Sequence, residues 1–301
     1  GREMHKSWGN AIWFDEAAEN MGADVMRWMY CRTPPEGNML FGYKKAEETK
    51  RHFFIPLWNI YSFFVTYANI DVWTPLQTSR QLSLLDRWIL SRLQDLIKDV
   101  TRDLEDYDVA GAAISLEKFV EELSTWYIRR SRRRFWKSKA DEDKKAAYTT
   151  LYTCLATLIK LLAPFIPFIT EEMYQNIVLS VESKAPESIH HNDWPVEDST
   201  LVDEKLAEDM ALVLKVSSLG RSVRSTSGIK LRQPLLDAKV GATEDIVKRL
   251  ERFTDLIRDE LNVRSVTLTS EEKELMVLEI KPLPNKLGKK YGQLFPRIQE
   301  E

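Results

Sequence analysis

Leu85, Ile89, Leu93, Leu96, Val100 and Leu104 recur at intervals of three and four residues. At 100° per residue they form one apolar stripe on a long helix, and such a stripe must be buried against other helices. The same period returns on both sides. Phe54, Leu57, Tyr61, Phe64 and Tyr67 mark an aromatic stripe between Tyr43 and Asn69, read as core, with Pro56 as a kink or boundary. A helix opening at Asp108 carries Leu116, Phe119, Val120, Leu123, Trp126 and Tyr127 on its apolar side. Lys137 to Lys145 reads as a charged turn and Tyr148 to Leu162 as a helix ended by Pro164. Thr170 to Val181 reads as a helix capped by Thr170, with Glu171 and Glu172 in its first turn. Long amphipathic helices joined by short connections predict a mainly α fold, an antiparallel helical bundle.

The flanks differ. Residues 1–12 are loop-like, Asp15 is a candidate cap for a short helix ending near Gly22, and Ala23 to Arg32 predicts another. After a linker from Asp71 to Ser83 and the bundle, Pro186 to Pro195 is a loop and Val202 to Arg224 a helix. A basic break, Gly228-Ile-Lys-Leu-Arg-Gln-Pro234, follows. Strands are expected at Leu236–Val240, Val263–Thr269 and Leu275–Ile280, with a helix over Glu244–Leu261, a small C-terminal α/β subdomain. The expected organisation is 1–44, an N-terminal loop and short helices; 45–181, the bundle; 182–235, a connecting loop and helix; and 236–301, the α/β part.

The densest chemical signal is Trp126-Tyr-Ile-Arg-Arg-Ser-Arg-Arg-Arg-Phe-Trp136. Arginines at 129, 130, 132, 133 and 134 are bracketed by aromatic residues. On the helical wheel Arg130 and Arg134 continue the apolar side and call for carboxylate partners, for which Glu171 and Glu172 are candidates. Arg132 falls on the polar side, with Arg129 and Arg133 on the flank. Guanidinium groups bind phosphate bidentately and aromatic rings stack on unpaired bases, so these three fit an RNA contact; ordinary ion pairs and solvated charge are the alternative.

With 43 Lys and Arg against 46 Asp and Glu, the net charge is −3, so any nucleic-acid contact is a local patch rather than a general affinity for polyanions. Cys31 and Cys154 give neither a disulfide framework nor zinc spacing, as expected of a cytoplasmic, reducing setting. His190 and His191 lack a nearby third ligand, so no metal site is expected. The apolar run from Cys154 to Ile169 is broken by Lys160, Pro164 and Pro167, a core helix and turn rather than a membrane span. No Walker motif, Gly-rich dinucleotide loop or nucleophile–histidine pairing is present.

Several stretches resemble one family in the family's order. Glu3-Met-His-Lys-Ser7 with Trp8-Gly9-Asn10 is similar to the KMSKS loop of class I aminoacyl-tRNA synthetases. Asp15 to Arg32, with Gly22-Ala-Asp-Val-Met-Arg27, resembles the stem-contact segment after it. Leu57-Trp-Asn-Ile-Tyr-Ser-Phe-Phe64, Tyr67-Ala-Asn-Ile-Asp71 and Trp126–Trp136 resemble the isoleucyl branch, the isoleucyl-tRNA synthetases. So do Leu162-Ala-Pro-Phe-Ile-Pro-Phe-Ile-Thr-Glu-Glu172, Ile229-Lys-Leu-Arg-Gln-Pro234, and Lys281-Pro282 with Leu287-Gly288.

The resemblance implies a C-terminal fragment that begins at the signature loop, its parent's Rossmann and editing domains lying upstream. It implies anticodon binding by the bundle and an isoleucine-accepting tRNA as partner. ATP, with Mg, would be a substrate of the parent, with no cofactor in the fragment and no membrane partner. Lys6 maps to the lysine that stabilises ATP phosphates during adenylate formation, with Ser7 beside it, because charge developing on pyrophosphate wants a fixed cation. Glu3 and His5 depart from the family's loop at its first lysine and first serine. Contact with tRNA is implied for Arg129, Arg132, Arg133, Lys137, Lys230 and Arg232. The fragment would position tRNA without itself catalysing aminoacylation. The same region of a valyl-tRNA synthetase, or a helical protein-interaction module without RNA binding, are the alternatives.

Overall fold

Ser83 and Asp86 close the start of the longest helix of the first half by a capping box: the Ser83 hydroxyl accepts from Asp86 N (3.3 Å) while the Asp86 carboxylate accepts from Ser83 N (2.8 Å). The computed structural model describes residues 3–76, 81–137 and 141–270. The expected strand at 275–280 and the motif at 281–288 lie outside these residues. The chain divides into two units, Gly1–Ala207 and Glu208–Glu301.

In the first unit, α1 (Phe14–Met21) and α2 (Ala23–Cys31) meet at Gly22, whose φ of 92° lets the chain turn between them. Asp15 does not cap α1; it lies in the first turn, after Trp13. α3 (Tyr43–Thr49) passes through a π-helical turn, Lys50–Phe54, into α4 (Ile55–Asp71). Pro56 has no N–H and its ring crowds the preceding turn, and Ile55 N–H reaches back to Lys50 O, one residue further than in an α-helix. The expected boundary at Pro56 is therefore a widened turn. α5 (Leu84–Glu105) reverses at Tyr107 (φ 61°) into α6 (Val109–Glu122), whose N-cap Asp108 accepts from Gly111 N at 2.8 Å. A second π turn, Leu123–Ile128, leads into α7 (Arg129–Trp136).

α8 (Glu142–Leu162) begins earlier than expected, within the charged run. Asp141 caps it through Lys144 N (2.7 Å), and Glu142 and Asp143 favour the positive end of the helix dipole. α9 (Pro167–Tyr174), extended by a π turn over Gln175–Leu179, is not capped by Thr170, whose hydroxyl bonds back to Ile166 O. Asp24 of α2 supplies the carboxylate instead, accepting from Ile169 N at 2.7 Å. These helices pack as the expected bundle, α5 against α6 and α8, and α8 against α4, α7 and α9. Leu57, Phe64, Leu93, Val100, Leu116, Phe119, Tyr148 and Leu155 are among its buried residues. The aromatic stripe is core, as expected, except that Tyr67 is half-buried.

α10 (Glu204–Thr226) starts in the first unit and continues into the second. There β1 (Leu235–Gly241) pairs in parallel with β2 (Val263–Thr269), in register from Leu235 opposite Val263 to Gly241 opposite Thr269. The crossover runs through α11 (Glu244–Leu250) and α12 (Thr254–Leu261), as parallel pairing requires. Leu250, Phe253, Ile257 and Leu261 form its buried side. Gly220 allows α10 to approach closely, since a Cβ there would lie 2.5 Å from Leu261 Cδ2. Asp209 anchors the crossover by pairing with Arg249 (2.5 Å) and Arg252 (2.6 Å).

Candidate nucleic-acid interface

The arginine cluster forms α7, and the π turn before it decides which way each arginine faces. Arg129 N–H donates to Ser124 O, so the turn holds one residue more than an α-helical turn. The buried stripe through Leu116, Phe119, Val120, Leu123, Trp126 and Tyr127 matches the wheel. Beyond the π turn it moves one position on, and the buried residues are Ser131 and Phe135 rather than Arg130 and Arg134. Those two arginines are half-buried at its edge.

Arg134 has the carboxylate partner its position demands, but not the expected one. Its Nη1 and Nη2 each donate to Asp86, at 2.7 Å, and its Nε to Asp143 at 2.8 Å. Glu171, by contrast, accepts from Ser188 and Ile189. Asp86 is fully buried and also accepts from Tyr127 Oη at 2.6 Å. Burial alone would push the Asp86 carboxyl up. The hydrogen bonds and charge of Arg134, helped by Tyr127 and Ser83, outweigh it and hold that carboxyl below the usual range. Burial likewise works against the Arg134 charge, and the bonds to Asp86 more than compensate, leaving its pKa raised. Asp86 thereby ties the start of α5 to the end of α7.

Phe135 fills the core under α7, its ring 5.1 Å from Phe63 and 4.9 Å from Tyr148. The opposite side is open. Arg129, Arg132, Arg133 and Trp136 are exposed and separated by three or four residues, hence neighbours on one face. Arg129 Nε donates to Thr125 O at 2.7 Å. Arg132 and Arg133 have no hydrogen-bond or ion-pair partner among the described residues. Lys137 differs: its Nζ lies 2.8 Å from Asp143 and 3.2 Å from Asp141, and those carboxylates raise its pKa while offsetting its charge locally.

The other candidate residues fall elsewhere. Lys230 and Arg232 are exposed in the second unit, on the turn after α10. Buried Arg224 shapes that turn, its Nη2 donating to Lys230 O at 2.7 Å and also to Gln233 O, while Asn262 Nδ2 holds Leu231 O at 3.0 Å. Lys6 and Ser7 are exposed in a short 3₁₀ turn, Lys6–Trp8, closed by Gly9 at φ 64°. Lys6 Nζ sits 4.6 Å from the Trp13 ring centroid. Glu3 turns to His5, 3.2 Å away, and Asn10 Oδ1 accepts from His5 N at 2.9 Å. Arg129, Arg132, Arg133 and Lys137 thus gather at one end of the bundle, and Lys6 and Ser7 belong to the N-terminal loop.

Sequence reasoning missed Asp86 and Asp143, the groups that orient α7; Asp86 is legible only as the capping-box residue after Ser83. Among the described residues no group of three or more His, Cys, Asp or Glu could hold a metal ion, and no helix is long and apolar enough to cross a membrane.

The model of the family described as "Anticodon-binding domain of tRNA ligase" matches residues 86–240, from the buried aspartate through β1 almost to its end. An isoleucine–tRNA ligase of Dehalococcoides mccartyi is 49% identical over 270 residues, covering 88% of this chain and 27% of that protein. Those of Thermus thermophilus and Clostridium acetobutylicum are 44% and 42% identical over the whole chain and 29% of their own length. The chain therefore spans under a third of these relatives. Among solved structures, a leucyl-tRNA synthetase of Agrobacterium radiobacter, in ternary complex with tRNA and LeuAMS, superposes with a TM-score of 0.51. It is 20% identical over 67% of this chain and 23% of its own, a likeness of fold.

Proposed function

Because the chain belongs to the family of anticodon-binding domains of tRNA ligases, we propose that it binds the anticodon arm of an isoleucine-accepting tRNA as part of an isoleucine–tRNA ligase. The observation that carries this reading is the exposed face of α7, where Arg132 and Arg133 stand without partners among the described residues, inside the family-matched span. A guanidinium left unpaired on a rigid helix is preorganised for a phosphate oxygen. Arg129 extends the face, Lys137 contributes less because Asp141 and Asp143 offset it, and Lys230 and Arg232 form a separate basic turn.

The whole enzyme would form isoleucyl-adenylate from ATP, with Mg, and transfer isoleucine to tRNA in the cytoplasm. In that reaction Lys6, with Ser7 beside it, would stabilise the triphosphate. The His5–Glu3 contact favours this role, since it occupies the carboxylate that replaces a lysine of the family's loop. Identities of 42–49% to isoleucine–tRNA ligases favour the isoleucine reading over the valine one.

A direct test is binding of hairpins carrying an isoleucine anticodon loop or an unrelated one. The isoleucine hairpin is expected to bind more tightly, by about tenfold for each base edge read by a bidentate hydrogen-bond pair, in line with about 1–3 kcal/mol of discrimination per such pair. Equal binding would remove the isoleucine assignment, and no binding of either would remove the RNA reading.

A further inference from the structure

We infer that Trp136 is the platform on which one unpaired base of the bound RNA stacks, an inference that rests on the RNA-binding reading of α7. Four aromatic residues bracket the arginines, and any of them offers a stacking surface by sequence. Three are withdrawn into the core: Trp126 is 5% exposed, Tyr127 0% and Phe135 1%. Trp136 is 56% exposed. It follows Arg132 and Arg133 by four and three positions, so the indole shares their face of the helix.

The indole is also fixed. Its Nε1–H donates to the hydroxyl of Tyr67 at 2.7 Å. Tyr67 is itself half-buried on α4, its ring 4.8 Å from Phe63, which in turn meets Phe135. Trp136 stacks on no other ring among the described residues. The bond to Tyr67 has two consequences. It holds the ring in one orientation, which lowers the entropy lost when a base settles on it. It also uses the only hydrogen-bond donor of the side chain. Trp136 therefore offers a base its π face alone, and selects for an unpaired base rather than for a particular one. The adjacent arginines hold the phosphates on either side, and a paired stem, whose bases are already stacked, gains nothing from the indole.

The experiment compares Trp136→Leu, Trp136→Phe and the wild type with two RNAs, the isoleucine-anticodon hairpin and a fully paired duplex of matched charge. Each is titrated across a salt series. Trp136→Leu is expected to weaken hairpin binding about tenfold to a hundredfold, to leave the salt slope unchanged, and to leave duplex binding unchanged. Trp136→Phe is expected to recover most of the loss. A 2-aminopurine moved through the loop is expected to be quenched at one position in the wild type and not in Trp136→Leu. Equal loss on hairpin and duplex, no loss on either, or quenching that survives in Trp136→Leu would overturn the platform. An Arg132→Ala/Arg133→Ala variant separates the two readings. If it binds the hairpin like the wild type, the arginine face itself is not the RNA site. If it weakens binding and Trp136→Leu does not, only the platform fails.

Discussion

Replacing Asp86 with Ala is expected to destabilise the first unit by about 3–5 kcal/mol, because it leaves the Arg134 guanidinium at a desolvated site without its bidentate partner. Asp143 would still hold Arg134 Nε, and Tyr127 would keep only a 3.3 Å bond to Ala147 O. The value of the pair lies in its being complete, so the double variant Asp86→Leu/Arg134→Met is expected to recover much of the loss. Urea unfolding of the two singles and the double would check this. If the double is as unstable as the sum of the singles, the pair does not act as a unit.

The same pair carries a pH dependence. The Asp86 carboxyl is held below the unfolded carboxylate range, near 3.9, so its contribution is fully present above about pH 4 and is lost as pH falls through its lower folded value. Asp86→Asn lacks that titration. The stability gap between wild type and Asp86→Asn is expected to be constant from neutral pH down to about pH 5 and to narrow below about pH 4. A gap that widens in acid would contradict the pairing.

Phe135→Ala is expected to cost about 3–5 kcal/mol, the usual range for removing a fully buried phenyl ring. Phe63 and Tyr148 contact the ring from α4 and α8, two helices that cannot both collapse into the space. The urea midpoint should fall with little change in slope. Arg132→Ala, on the exposed side of the same helix, should move stability by no more than about 0.5 kcal/mol. A mild Phe135→Ala would mean that α7 is only loosely seated, and with it the RNA-binding face.

The bundle was legible because its helices carry the 3.6-residue period over long stretches, and the Val263–Thr269 strand because β-branched residues run between a turn and a polar stop. The split of the arginines was legible in part. The wheel correctly separated the exposed Arg129, Arg132 and Arg133 from Arg130 and Arg134, yet placed the buried stripe one residue early. No residue type marks a π turn of Leu-Ser-Thr-Trp-Tyr-Ile, whereas Pro56 marked the earlier one. Partners distant in sequence were the least legible. Asp86 lies 48 positions before Arg134, and Asp24 caps a helix 145 positions on, whereas Glu171 drew the first role as a first-turn carboxylate and Thr170 the second as a local cap. Which bracketing aromatic stays exposed likewise depends on α4 and α8, not on the stretch itself.

The most direct measurement is the salt dependence of isoleucine-hairpin binding by the wild type and by Arg129→Ala/Arg132→Ala/Arg133→Ala. Each phosphate contact to a single strand contributes about 0.7 to the slope of log affinity against log salt. The triple variant is expected to bind more weakly at low salt, with the slope shallower by about 2, while unfolding at the same urea concentration as the wild type. Identical affinity and slope in the two proteins would show that the exposed face of α7 is not where the RNA phosphates sit.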